Sequence, residues 1–291
     1  MSESPSRPPQ DPPARPVPGP DLGTPHLRLE VEGPLAWLTF DRPEARNAIT
    51  WAMYDGLLRL CDWLDGEGAG ATPAGPEAAG VRALIFRGAG DRAFVAGTDI
   101  SQFREFEDAA DVLAYERRIE GVLERLEHLR QPTIALVRGY AVGAGAAIAL
   151  TSDLRLCAPD AQIGFPIART LGNCLSLANY ARLVHLLGPT RTKELVFTAR
   201  LVGAEEALQI GLASRVVPAD ELEQRGRELA LTIAAHAPLT VQVTKEAVRR
   251  ILTAGDVPAG DDLVLRCYLS EDFREGVRAF LEKRKPRWQG K

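Results

Sequence analysis

The chain has 291 residues, a formal net charge of -4, and 45% hydrophobic against 25% charged residues. This balance suits an ordinary globular protein and excludes a strong global pull toward nucleic acid or an anionic membrane surface. Cys61, Cys157, Cys174 and Cys267 lie far apart with no C-x-x-C spacing, so neither a zinc site nor a disulfide framework is expected. There is no apolar signal core at the N-terminus and no apolar run long enough to span a bilayer, which predicts a cytoplasmic protein without a membrane partner.

Residues 1–25 form a polar stretch punctuated by prolines from Pro5 to Pro25, predicted to be a disordered extension. Leu27, Leu29 and Val31 then alternate with polar residues, and Gly33-Pro34 turns the chain into a second apolar run at 35–40, a hairpin-like strand pair. Helical spacing follows over 48–64, a Gly/Ala/Pro-rich loop over 66–80, and a buried strand over 81–86. A long amphipathic helix is predicted around 108–130, with short strands at 132–137 and 154–158. Further helices are expected at 176–187, 189–198, 203–210, 218–235, 238–252 and 259–283. Alternation first and helices last indicate an α/β core over 26–215 with a helical C-terminal region over 216–291.

Gly88-Ala89-Gly90-Asp91-Arg92-Ala93 fits the dinucleotide fingerprint G-x-G-x-x-A, but the following Phe94–Asp99 does not read as the helix that must hold a pyrophosphate. His128, His185 and His236 lie in helical patterns without a paired acid and receive no role. Two small-residue segments carry more information: Ala96-Gly97-Thr98-Asp99, and Gly139–Gly145 leading into a helix. Small residues let a ligand approach backbone N–H groups, and a helix start adds oriented donors. Two such donors converging on one carbonyl oxygen would stabilise an oxyanion. The spacing alone equally fits glycines that only permit tight turns and close packing.

The segments Leu38–Ala48, Phe94–Ile100, Gly139–Gly145 and Glu275–Arg284, in this order, resemble the signatures of the crotonase (enoyl-CoA hydratase/isomerase) superfamily. The resemblance implies a spiral of ββα units with a helical C-terminal region, an acyl-CoA substrate, no separate cofactor or metal, and a homotrimer or homohexamer. It places the oxyanion donors on the main-chain N–H groups of Thr98 and Ala144, beside Gly143. It puts the CoA contacts at Ala96, Gly97, Asp99 and Ile100, with Arg46 toward the phosphates. Phe280 and Lys283 would close over the nucleotide, from this subunit or a neighbour. The family's two hydratase glutamates fall on Ala147 and Ile167, which carry no proton. Asn173 is then a candidate to hold a water or a carbonyl, and Cys174 a candidate nucleophile or an inert core thiol. Asp99 suits a local hydrogen-bonding role as well as a catalytic one. The basic residues Lys283, Arg284, Lys285, Arg287 and Lys291 suit a solvated helix end or an anionic tail. The expected function is thioester processing of the hydratase type. A non-catalytic acyl-CoA binder, a thioester hydrolase, a C–C lyase and an isomerase using other residues stay open.

Overall fold

The computed structural model describes residues 16–66, 80–105, 107–236, 238–253, 265, 268–284 and 286. In chain order the strands are β1 (Val17–Pro18), β2 (Leu27–Glu32), β3 (Leu35–Phe40), β4 (Ala83–Gly88), β5 (Ala93–Val95), β6 (Thr133–Val137), β7 (Tyr140–Val142), β8 (Leu154–Cys157), β9 (Gln162–Gly164), β10 (Val202–Gly203) and β11 (Arg215–Val216). The helices are α1 (Trp51–Asp65), α2 (Ala109–His128), α3 (Ala144–Thr151), α4 (Ile167–Thr170), α5 (Leu177–Thr198), α6 (Ala204–Gln209), α7 (Leu222–Ala234), α8 (Pro238–Thr253) and α9 (Glu271–Leu281).

One sheet runs β1-β2-β3-β4-β6-β8-β11 and a second runs β10-β9-β7-β5. Each turn of the chain gives one strand to each sheet and then a helix: β4, β5 and α2; β6, β7 and α3; β8, β9 and α4. The pairings β4–β6, β6–β8, β5–β7 and β7–β9 are all parallel, as stacked repeats require. This is the ββα spiral of the expected crotonase-type α/β fold.

The central strands β3, β4 and β6 of the first sheet are buried on both faces, which is why they read as apolar runs, whereas β2 nearer the edge alternates. Ala36, Leu38 and Phe40 of β3 face a core shared with α1 and α2. Leu35 and Trp37, one residue out of phase, face a second cluster closed by Leu222 and Ala230 of α7. Helix α7 is therefore a layer of the core. The division expected at 215/216 falls inside β11, which pairs with β8.

The expected disorder over 1–25 is also corrected for its last part. Val17 and Pro18 pair antiparallel with Val31 and Glu30, and the Gly19 N–H donates to the Leu29 carbonyl at 2.8 Å. Proline is tolerated there because β1 is an edge strand, and Leu22, 2% exposed, anchors the segment in the core. Residues 1–15 lie outside the described residues, as do 67–79 of the predicted loop. The helices predicted at 176–187 and 189–198 join as α5, with the break surviving as a non-helical Gly188 (φ 77) before Pro189. The single helix predicted over 259–283 is instead capped afresh at Ser270, whose hydroxyl accepts from the Phe273 N–H at 2.9 Å. Among the described residues no helix is long and apolar enough to cross a membrane, and no cluster suited to a metal ion occurs.

Candidate functional site

Two turns define one wall of the site. After β5 the chain runs Ala96-Gly97-Thr98, and Thr98 forms a parallel bridge with Ile49. That bridge uses the Ile49 N–H to Gly97 O and the Asp99 N–H to Ile49 O, both at 2.9 Å. By the alternation of an extended chain, the N–H of Thr98 itself points to the other side. After β7, Gly143 (φ 56, ψ -118) turns the chain into α3, whose first residue is Ala144. The N–H at that position has no intrahelical acceptor. A Cβ on Gly143 would lie 3.7 Å from the Cα of Gly97, so the two turns abut. Gly145 makes this possible, because a Cβ there would lie 1.9 Å from the Val95 carbonyl oxygen.

Both turns open onto a cavity of about 200 Å³. Its lining includes Ala96, Gly97, Thr98, Ile100, Gly143 and Ala144 from the turns, and Ala147 and Ile167 deeper in. Asn173, Cys174 and Phe280 complete the set of predicted residues that the fold brings together. Phe280 reaches the cavity from this chain's own α9 and is 51% exposed. Ala147, Phe165 and Ile167, all buried, make the inner surface apolar. Cys174 is half-buried and packs against the apolar core.

Asp99, Arg46 and Lys283 lie outside the cavity lining. The Asp99 carboxylate accepts from Arg42 Nη1 at 2.7 Å and from the Ser101 hydroxyl at 2.7 Å. Burial alone would raise its pKa, but the hydrogen bonds from Ser101 and Arg42 outweigh burial and hold the carboxyl below its ordinary range. Asp99 thus clamps the Thr98 turn to the loop after β3. The carbonyl of Arg46 accepts from the Ala96 N–H at 3.0 Å, while its exposed guanidinium lies 5.7 Å from the centre of the Tyr140 ring. Lys283 is exposed and ends α9 in a left-handed conformation (φ 53), with its N–H on the Phe280 carbonyl at 3.1 Å. Arg284 is ion-paired to Glu275 and Glu282, so the basic helix end is partly neutralised. Lys285, Arg287, Lys291 and Cys267 lie outside the described residues.

The fingerprint-like Gly88–Ala93 connects β4 directly to β5, so no helix N-terminus is offered to a pyrophosphate. His128, His185 and His236 do not line the cavity.

The opposite wall was not foreseen. Tyr115 and Glu116 of α2 and Tyr268 line the same cavity. The Tyr268 hydroxyl donates to the Glu116 carboxylate and accepts from Asn173 Nδ2 at 3.2 Å. Tyr115 is hydrogen-bonded to the side chains of Thr98 and Tyr268, and the Tyr54 hydroxyl lies 2.7 Å from Thr98 Oγ1. Burial pushes the Glu116 carboxyl up to about 7; the Tyr268 hydrogen bond opposes this, and the charge of Glu120 one turn along adds to it. Burial likewise raises the phenols of Tyr54, Tyr115 and Tyr268, so all three stay protonated donors. Asn173 Oδ1 is buried and has no hydrogen-bond partner among the described residues. A signal for Glu116 did exist: Val112, Ile119, Leu123 and Leu126 form the buried stripe of α2, and Glu116 falls on it at helical spacing. Nothing local marks Tyr268.

Helix α9 is seated against this wall. A Cβ on Gly276 would lie 2.2 Å from the Leu171 carbonyl oxygen, so helix and loop are in backbone contact two residues before Asn173.

Comparison with known proteins agrees with this architecture. Residues 30–291 match the family model described as enoyl-CoA hydratase/isomerase. The chain is 35% identical to a short-chain-enoyl-CoA hydratase of Clostridium acetobutylicum, over 88% of this chain and 95% of that protein. It is 36% identical to a carnitinyl-CoA dehydratase of Salmonella typhi, over 91% and 98% respectively. Among solved structures, a methylmalonyl-CoA decarboxylase in complex with 2-nitronate-propionyl-CoA superposes with a TM-score of 0.79 at 28% identity, covering 91% of this chain and 99% of the other. A chain with these two glycine turns, this ββα spiral and these relatives belongs to the enoyl-CoA hydratase/isomerase (crotonase) family.

Proposed function

We propose that the chain binds an acyl-CoA thioester with its carbonyl oxygen between the N–H groups of Thr98 and Ala144, and performs hydratase-like chemistry through the enolate those donors stabilise. The observation that carries this reading is the abutment of the Gly97–Thr98 and Gly143–Ala144 turns at the wall of an apolar cavity. Fixed donors aimed at the oxygen that gains charge stabilise the transition state without reorganisation. The CoA moiety arrives with the substrate, and no separate cofactor is assigned. Ala96, Gly97 and Ile100 flank its pantetheine arm, Arg46 and Lys283 serve its phosphates, and Phe280 covers the entrance. Ala147 and Ile167 stand at the two glutamate positions of hydratases and favour an apolar acyl tail. Assembly as a trimer or hexamer belongs to the same proposal, supported by the exposed Val243, Val248 and Ile251 of α8.

A second reading, C–C cleavage such as loss of CO2 from a 2-carboxyacyl-CoA, draws on the likeness to the methylmalonyl-CoA decarboxylase. That reaction needs an oxyanion site and a proton source but no base to activate water. The two readings part on a substrate panel. Crotonyl-CoA and a 2-carboxyacyl-CoA are incubated with the protein, binding is followed by calorimetry and products by mass spectrometry. Water addition to crotonyl-CoA supports the first reading, and CO2 release the second. Tight binding without any product would leave an acyl-CoA binder, and absence of binding would defeat the reading altogether.

A further inference from the structure

Resting on the acyl-CoA reading above, we propose that Glu116 is the proton-transferring group of this site, and that Asn173 holds the water or substrate hydroxyl with which Glu116 exchanges its proton.

Three observations meet here. Glu116 lines the cavity that the Thr98 and Ala144 turns open onto, although it comes from a different element. Its partner Tyr268 is buried, with 4% exposure, so the carboxyl sits in a fixed hydrogen-bonded setting rather than in bulk solvent. Asn173 presents a buried, unpartnered Oδ1 in the same cavity. Asn173 Nδ2 donates to the Tyr268 hydroxyl at 3.2 Å, so the amide oxygen is the end left over. The leftover end is an acceptor, so it takes a group that brings an O–H, and a bare hydrocarbon chain does not satisfy it.

Burial brings the Glu116 carboxyl up to about 7, and the charges around it leave it there. Among the described residues no lysine or arginine lines the cavity. Glu120, whose charge raises the Glu116 carboxyl, is itself paired: it accepts from Arg182 Nη1 at 3.1 Å and from the Ser176 hydroxyl at 3.0 Å. Arg182 is also held by Glu127, at 2.7 Å through Nε. Tyr54, Tyr115 and Tyr268 are neutral donors. A carboxyl poised near the working pH is what a group that both accepts and returns a proton requires.

For hydration the step balances with one carboxylate. Glu116 takes a proton from the water held on Asn173 Oδ1 as the water oxygen bonds to C3 of the enoyl thioester. The C2–C3 π pair moves into the enolate, whose oxygen rests on the Thr98 and Ala144 N–H groups. The proton on Glu116 then passes to C2 and the carbonyl re-forms. One water has been added and Glu116 is again a carboxylate. Run partway, the same transfer exchanges the C2 hydrogens of a saturated acyl-CoA with solvent.

The test uses the full chain in D2O, with crotonyl-CoA and butyryl-CoA as probes and mass spectrometry as readout, for the wild type, Glu116→Gln and Tyr268→Phe. Calorimetric affinities for butyryl-CoA are measured alongside. The expected result is that Glu116→Gln lowers C2 deuteration and hydration by about 100- to 10,000-fold, with affinity changed by less than a few-fold. Tyr268→Phe removes a donor to the charged carboxylate and moves the rising limb of the pH profile, near pH 7 in the wild type, to higher pH. Equal rates for the wild type and Glu116→Gln would overturn the inference and leave the oxyanion reading intact. Tight binding by the wild type without deuteration or turnover would also overturn it, in favour of a binder. Failure of the wild type to bind either thioester would defeat the acyl-CoA reading first, and the inference with it.

Discussion

The two walls of the cavity are built on different principles. The wall of Gly97–Thr98 and Gly143–Ala144 presents backbone to the cavity, and in the proposed reading it acts through N–H groups. The wall of Glu116, Tyr268 and Asn173 acts through side chains drawn from α2, the loop after α4 and the segment before α9. The backbone wall is continuous with β5 and β7 of the spiral, and a side chain as small as that of Ala144 leaves its N–H in place. The side-chain wall is held by hydrogen bonds and by the packing of Tyr115 and Tyr268 with Phe103 and Phe273, and a single substitution at Glu116 is expected to change its chemistry. A scaffold of this kind can hold a thioester in one way while the reaction on it is changed from the other side.

Substituting within the backbone wall should give the largest effect after Glu116→Gln. Ala144→Pro deletes one donor at the helix position where proline is best tolerated. Activity on a turned-over acyl-CoA should fall roughly 100- to 1,000-fold with the circular dichroism spectrum unchanged. Butyryl-CoA affinity measured alongside separates the lost donor from obstruction by the ring. An undiminished rate would mean that this N–H does not carry the oxyanion.

Gly145→Ala probes the seating of the same wall. The new Cβ would meet the Val95 carbonyl oxygen at 1.9 Å, and backbone must move. A loss of about 1–3 kcal/mol or more of stability is expected in denaturant titration, with activity falling as well because the two turns part.

The side-chain wall should reveal itself through pH. Glu116 titrates near 7 in the folded chain against 4.5 in its ordinary state. Between these values the unfolded chain releases a proton that the folded chain keeps. The contribution of this group to stability is therefore present below pH 4.5 and lost as pH rises through about 7. Urea titrations at pH 5 and pH 8 should show Glu116→Gln gaining on the wild type by up to about 3 kcal/mol at the higher pH. A constant difference between the two proteins would place Glu116 in an ordinary solvated setting.

Asp99→Asn should have the smallest effect. It weakens the clamp from Arg42 and Ser101 without touching the cavity, so about 1 kcal/mol of stability and less than a ten-fold change in rate are expected. A loss as large as that of Glu116→Gln would move the chemistry back to the backbone wall.

The contrast between the walls also explains what could be read beforehand. Gly97, Thr98, Gly143 and Ala144 lie in short contiguous segments whose local conformation dictates the residue type, so a linear reading reaches them. The strand runs of β3, β4 and β6 were legible for the same reason, since burial on both faces leaves only apolar residues. Glu116, Asn173 and Tyr268 are dispersed, and only folding brings them to one cavity. Asn173 was reached through the family resemblance, and Glu116 left a trace that was not used, an acid on the apolar stripe of α2. The proline-rich start misled because β1 needs few residues: edge pairing with β2 and burial of Leu22 suffice to order 16–25.

The contact between Gly276 and Leu171 has a consequence for motion. Helix α9 carries Phe280 at the mouth of the cavity and presses its backbone against the loop that carries Asn173. At 2.2 Å from a missing Cβ there is no layer of side chains to absorb a displacement. A ligand that pushes Phe280 outward therefore levers the Asn173 loop with it. On the proposed acyl-CoA reading, passage of a long thioester past Phe280 and the placing of Asn173 would be mechanically coupled.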